Sequence, residues 1–452
     1  MTSRAAAFDL AVRAVAVVAA LGLLAAGWHD VSKAWDTWGY HLPFAARIAG
    51  IVGPGSYAFS PENQARYEGF PLVVEALQGL FWKVTTRPEC ANLVALFSLF
   101  AFVAFLRRAF RVPPHVALVA LLAIPLVQIH ATQCYVDLPA NAAAAVLVLL
   151  AYRAWAKTEP PAAKDVLAAA GAAAFAANAK FQLAPVVVAA ALALLVRARR
   201  DRRLLAIGAL ALPIVFATPL KNVVLHGNPA WPVELRILGK ALPFADTRYE
   251  AFPRWLEHVP GPVRFLCSIL EIGVKGWSVD QWTPPDDPGY RMGGFFGAYV
   301  AVALAAVAFA AWRRRTREAK VALAFVLGTT AVVSVLPQSH ELRYYLVWML
   351  VLVALALILW ARERPALAAA IALAAFGWVA GATRGVYLYP SGDSFATLVA
   401  THVDRRVVET APAGARLCLA EEPWTFLYAP ELHPGARFTV QEAKRPEDCP
   451  PR

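Results

Sequence analysis

Two carboxylates and two cations stand out by residue type and by place. Asp36 lies in WDTWGYHLPFAARI at 35–48, a few residues after an apolar run, and Asp137 lies in CYVDLPAN at 134–141, just before another. Lys180 sits between two apolar runs in ANAKFQLAP at 177–185, and Arg343 lies in SHELRYYL at 339–346. A carboxylate held at a membrane surface can take a proton from an attacking hydroxyl or amine. A nearby ammonium or guanidinium can hold a phosphate oxygen, the guanidinium with a planar fork of donors. Each residue also has a plain structural reading. Asp36 could cap a helix, Asp137 could be an interfacial acid, Lys180 could snorkel toward headgroups, and Arg343 could pair with Glu341 or with another helix.

Further polar residues accompany these four. RYEGFPLVVEAL at 66–77 puts Glu68 beside a proline-marked turn, and His41 follows Asp36 by five positions. LKNVVLHGNPAWP at 220–232 carries Lys221, Asn222 and a Gly-Asn-Pro turn at 227–229. His340 and Tyr344 flank Arg343, and His340 has no partner at metal-ligand spacing. Five cysteines form no CxxC pair. Cys418 and Cys449 in the tail are either a disulfide or two free thiols.

The elements that must position these residues are membrane spans. The chain has 452 residues, 59% of them hydrophobic and only 16% charged, with a mean hydropathy of +0.51. Ordinary soluble domains carry about 25% charged residues, so a soluble globular enzyme is excluded. The net charge of +12 comes largely from short basic clusters between apolar runs. These are Arg107/Arg108/Arg111, Arg153/Lys157/Lys164, RARRDRR at 197–203, WRRRTREAK at 312–320 and RERP at 362–365. Every second loop is basic, which is the positive-inside pattern and not a nucleic-acid face. Runs of about 20 apolar residues predict an all-α polytopic membrane protein with about eleven transmembrane helices, the N-terminus inside and the tail outside. Stretches 40–50 and 70–84, interrupted by Arg47, Glu75, Gln78 and Lys83, read as helices lying on the outer face. Residues 1–381 form the membrane domain. Residues 382–452 form a small extracytoplasmic α/β tail with a turn at 411–414 and a strand-like ARLCLA at 415–420.

With this topology, the unusual polar residues gather on the outer side, and their order becomes specific. An early outer-loop acid followed by YHLP and an interfacial helix resembles the GT-C class of polytopic glycosyltransferases, which use polyprenyl-linked sugars, including protein-mannosyltransferase-like and aminoarabinose-transferase-like members. RYEGFPLVVEAL is similar to the segment that returns along the surface, CYVDLPAN to the second acidic loop, LKNVVLHGNPAWP to the start of the large outer loop, and SHELRYYL to the late Arg-Tyr segment. The resemblance implies a transferase in the bacterial inner membrane that moves a sugar from a polyprenyl-phosphate donor and inverts the anomeric centre. It implies catalytic roles for Asp36 as base and for Asp137 as a second base, an acceptor-orienting group or a ligand to a divalent cation. Substrate contacts fall to His41, Glu68, Lys180, Lys221, Asn222, His340, Arg343 and Tyr344. Membrane lipid is a partner, nucleic acid is not, and the acceptor has no signature.

No WWDYG-type motif marks the tail, and no GxxxxGK loop signals nucleotide hydrolysis. The rival class is a secondary transporter or flippase, which calls for midplane charges and paired repeats. Neither is present in the sequence. A different lipid-phosphate transferase or ligase, or a scaffold, explains the ordered outer acids and bases less well.

Overall fold

The computed structural model describes residues 3–246, 256–272 and 294–449. Of the outer loop expected over about 220–292, residues 247–255 and 273–292 lie outside the described residues. The apolar runs form helices because a helix satisfies its own backbone groups where lipid offers no partners. In chain order these are α1 (Ser3–His29), α2 (Leu42–Ile48), α3 (Pro61–Gly69), α4 (Val73–Thr85), α5 (Leu93–Phe110), α6 (Pro114–Leu122), α7 (Pro125–His130), α8 (Asp137–Ala156) and α9 (Ala163–Ala177). They continue as α10 (Ala184–Ala198), α11 (Arg202–Val215), α12 (Ala217–His226), α13 (Gly261–Ile269), α14 (Gly297–Arg314), α15 (Arg317–Ser334), α16 (Leu346–Trp360) and α17 (Pro365–Ala382). The tail adds α18 (Phe395–His402) and α19 (Arg405–Thr410). Among the described residues, six helical segments are long and apolar enough to cross a membrane, or seven if α11 and α12, bent by 49°, make one span.

Helix α8 is the hub of the bundle, packing against α5, α9, α10, α15 and α16. Its neighbour α16 is apolar all round and buried on nearly every face, as expected of a core helix. Outer helices are two-sided. On α1, Val12, Ala16, Ala19 and Leu23 point inward, while Leu10, Val17, Val18 and Leu21 are exposed. Such an apolar surface is what lipid contact requires. The basic clusters sit where α5, α8, α10, α14 and α16 end. Asp36, Asp137, Lys180 and Arg343 sit at the opposite end.

At that end α2 and α4 cross closely. A Cβ at Gly79 of α4 would lie 2.3 Å from the Ala45 carbonyl oxygen, so only glycine permits the approach. The inward face of α4 differs from a simple surface helix. Glu75 and Gln78 are buried, whereas Leu80 and Val84 are exposed, because the polar side chains have partners inside and the apolar ones face lipid.

The tail does not stand apart from this end. Strands β1 (Tyr57–Ala58), β4 (Arg416–Leu419) and β5 (Thr439–Glu442) form one parallel sheet in the order β1-β5-β4. Tyr57 pairs with Val440, and Leu417 pairs with Val440 from the other side. A short hairpin of β2 (Arg236–Ile237) and β3 (Lys240–Ala241) lies in the outer loop. Trp38, Phe44, Tyr57 and Trp82 share one apolar core with Phe426, Tyr428 and Val440. Cys418 and Cys449 are joined in a disulfide.

Candidate active site

Asp36 stands at the entry to a π-helical turn, Thr37–His41, that runs directly into α2. The sequence explains the turn. Pro43 has no N–H to donate to the Gly39 carbonyl four residues back, and its ring would crowd that oxygen. The helix widens instead, with the Leu42 N–H donating to the Thr37 oxygen five residues back. Such insertions favour functional sites. The Asp36 carboxylate makes no capping bond to this turn. It accepts from Nη1 of Arg343 at 2.7 Å, and both side chains are largely buried.

Asp137 opens α8, only 2% exposed, and accepts a hydrogen bond from the Lys180 ammonium. Lys180 is 7% exposed, so it is buried and not snorkelling. The two ion pairs meet at one aromatic ring. The Lys180 nitrogen lies 4.1 Å from the Tyr344 ring centre, the Arg343 guanidinium carbon lies 4.9 Å from it, and Arg343 Nη2 donates to the Tyr344 hydroxyl at 3.2 Å. Asn141, one turn into α8, fixes the register of the two strands of chain: its amide donates to the Asp137 and Arg343 carbonyls and accepts from the Val347 N–H.

The cations that have no acid at helical spacing on their own segments are thus neutralised by acids from distant ones. Burying charges is tolerable when each is paired and hydrogen-bonded. In ion-pair terms the four groups cancel, two negative against two positive, so an anion entering here must compete with Asp36 and Asp137 for the same donors.

A second polar layer lies behind this one. His41 Nδ1 and Glu75 Oε1 are 2.8 Å apart, both buried. The Tyr135 ring lies 6.0 Å from that of His41, 4.8 Å from that of His130, and 5.4 Å from the Arg343 guanidinium carbon. Gln78 donates to the Cys134 carbonyl at 2.7 Å. His130 feels the charges of Asp137, Arg343, Lys180 and Asp36, and its Nδ1 has no hydrogen-bond partner. Sequence reasoning missed Tyr135, His130, Glu75 and Tyr40, whose ring lies 4.3 Å from that of His41, as members of the site. For Glu75 and His130 a signal existed, because an ionisable residue inside an apolar run is costly unless partnered. Tyr40 and Tyr135 stand in the YHLP and CYVDLPAN strings, where only the neighbouring His41 and Asp137 stood out as candidates.

The remaining expected residues divide. Tyr344 and His41 belong to the site. Glu341 feels Arg343, Lys180, Asp137 and Asp36, although burial works against those cations and raises its carboxyl above the usual range. His340 is buried with its Nε2 3.9 Å from Glu341. Glu68 and Lys221 meet each other nearer the surface, the Lys221 ammonium donating to the Glu68 carbonyl. Asn222 is a structural clip, donating to the carbonyls of Gly69 and Trp231. At Gly69 a Cβ would lie 2.3 Å from the Trp231 oxygen, so these segments touch backbone to backbone. Among the described residues no three His, Cys, Asp or Glu side chains converge as a metal-ligand set. Among the described residues Asp36 and Asp137 are each paired with a cation.

No family model matches the chain, and no curated protein matches it. Solved structures do. The crystal structure of ArnT from Cupriavidus metallidurans bound to undecaprenyl phosphate is similar at 12% identity, over 96% of this chain and 86% of that one, with a TM-score of 0.56. The apo form of ArnT is similar at 14% identity, over 98% and 87%, with a TM-score of 0.58. The likeness spans nearly the whole chain and shows an ArnT-like fold.

Proposed function

We propose that this chain is an integral-membrane glycosyltransferase that moves a sugar from a polyprenyl-phosphate donor to an acceptor on the outer face of a bacterial inner membrane, with inversion. One observation carries the reading: two buried acid–cation pairs meet at Tyr344, at the end of an ArnT-like bundle opposite the basic clusters. Carboxylates and cations in contact at a membrane surface suit a reaction that must hold a lipid phosphate and deprotonate an acceptor together. The positive-inside rule puts this end outside, and with it the tail of residues 382–452.

In this reading the donor phosphate takes over Arg343 and Lys180 from the carboxylates. Asp36, released from Arg343, accepts the proton of the acceptor hydroxyl or amine as that atom attacks the anomeric carbon. The bond from the anomeric carbon to the phosphate oxygen breaks, and the charge left on the phosphate is held by the two cations. Asp137, released from Lys180, orients the acceptor. Tyr344 holds both cations in register through its ring and hydroxyl. Glu68 and Lys221 lie at the rim, where a polar acceptor would enter. The transporter alternative is not favoured, because the buried ion pairs of Asp36, Asp137, Lys180 and Arg343 sit at one end of the bundle.

The test is lipid analysis of host cells with and without the gene. Loss of the protein should cause one polyprenyl-phosphate sugar to accumulate, and an unchanged lipid-linked sugar profile would refute the transferase reading.

A further inference from the structure

The π turn that carries Asp36 is held on its far side by the tail. The Trp38 ring stacks on Phe395 at 5.9 Å, with Trp424 at 6.4 Å and Phe426 at 6.5 Å. The Gly39 carbonyl, whose α-helical donor would be the N–H that Pro43 lacks, accepts from Asn63 Nδ2 at 2.9 Å. A side-chain amide nitrogen has two hydrogens. The other one from Asn63 goes to Glu442 Oε1 at 2.6 Å, and Glu442 Oε2 accepts from the Ser60 N–H at 3.1 Å. Asn63 and Glu442 are each 5% exposed. Glu442 ends β5, and β5 pairs with β1 just before Ser60. An unbroken hydrogen-bonded path therefore runs from the tail sheet through one amide to the backbone three residues after Asp36.

We propose that Asn63 is a positioning residue which, held by Glu442, docks the tail onto the π turn and so sets the place of the Asp36 carboxylate. The inference rests on the reading of Asp36 as the base. Both Asn63 donors are committed, one to each side, so the amide cannot rotate away from Gly39 without also giving up Glu442. A free Gly39 carbonyl would let the π turn relax toward another helical register, and Asp36 would move with it. Small misplacements of a reacting group reduce rate steeply. The role differs from packing, because it depends on the acceptor at position 442 and not on its bulk or charge. Gln keeps one oxygen for Asn63 but turns its amide nitrogen toward the Ser60 N–H, whereas Leu keeps neither acceptor.

The experiment uses the full-length protein in lipid nanodiscs and in cells. Hydrogen–deuterium exchange of amides 36–42 is compared in wild type, Asn63→Ala, Glu442→Leu and Glu442→Gln. The same variants are expressed in host cells lacking the gene, and accumulated polyprenyl-phosphate sugar is measured. Asn63→Ala and Glu442→Leu should exchange about tenfold faster over 36–42 and leave the sugar accumulated, while Glu442→Gln, which keeps the Asn63 contact, should lie between Glu442→Leu and wild type in both. If Asn63→Ala does not fold, the Glu442 pair decides alone. Wild-type exchange in Asn63→Ala or Glu442→Leu overturns the coupling. Faster exchange with normal consumption of the lipid-linked sugar overturns the positioning role, as does a Glu442→Gln protein that behaves like Glu442→Leu. Exchange needs no substrate, so if deletion of the gene changes no lipid, the transferase reading fails while the exchange data still judge the coupling.

Discussion

Replacing Arg343 by Gln separates stability from ligand binding. The guanidinium contacts Asp36 at 2.7 Å in a buried setting. Removing one partner of a buried pair strands the other charge, at a cost of about 3–5 kcal/mol. Arg343→Gln alone should therefore lower thermal stability clearly. The double variant Asp36→Asn, Arg343→Gln strands no charge and should recover most of the loss. Donor binding should not recover. A charge-assisted contact to phosphate is worth about 1.5–3 kcal/mol, and about 1.4 kcal/mol corresponds to a tenfold change. Affinity for undecaprenyl phosphate, used as the probe, should thus fall about ten- to 150-fold in the double variant. Thermal unfolding and binding titrations on purified protein give both numbers. If the folded double variant binds the probe as tightly as wild type, Arg343 serves only the Asp36 pair and the phosphate reading of this cation is wrong.

Asp36→Asn keeps the size of the side chain but not its basicity, and should slow consumption of the lipid-linked sugar by about 10²–10⁴-fold; because it strands Arg343 it should also lower thermal stability, so turnover is measured on the folded fraction. Gly79→Ala would place a methyl 2.3 Å from the Ala45 oxygen; the resulting overpacking should lower thermal stability by about 1–3 kcal/mol. Burial, with the nearby Glu422 and Glu62 charges, pushes the Glu442 carboxyl up to about 7 despite hydrogen bonds from Ser60 and Asn63. An acid whose pKa is higher folded than unfolded contributes stability at low pH and loses it as pH rises through the folded value. Protease resistance of the tail should accordingly decline as pH rises from 4.5 to about 7 and level off above that, and Glu442→Gln should flatten the decline. A reporter fused after Gly392 should signal from outside the cytoplasm, and a cytoplasmic signal would reverse the topology.

The membrane class, the alternation of basic loops and the grouping of unusual polar residues at opposite span ends were legible in one dimension. Apolar length and Lys/Arg asymmetry are local properties that a bilayer reads segment by segment. The same applies to the strand at ARLCLA, which forms as β4. Asp36, Asp137, Lys180 and Arg343 were visible as candidates because charges beside apolar runs need a reason. Which acid meets which cation was not visible. Asp36 and Arg343 are 307 positions apart and Asp137 and Lys180 are 43 apart, and the pairing is set by how α8 packs among its neighbours. Glu75 and Gln78 look in sequence like the wet face of a surface helix, yet they turn inward because His41 and the Cys134 carbonyl wait there. That Asn63 donates to both the Gly39 carbonyl and Glu442 was not visible either, because those partners are 24 and 379 positions away. Local chemistry determined which residues carry charge at the membrane surface. Tertiary packing decided their partners, because a hydrogen bond needs an atom within about 3 Å and sequence spacing does not specify distances across a fold.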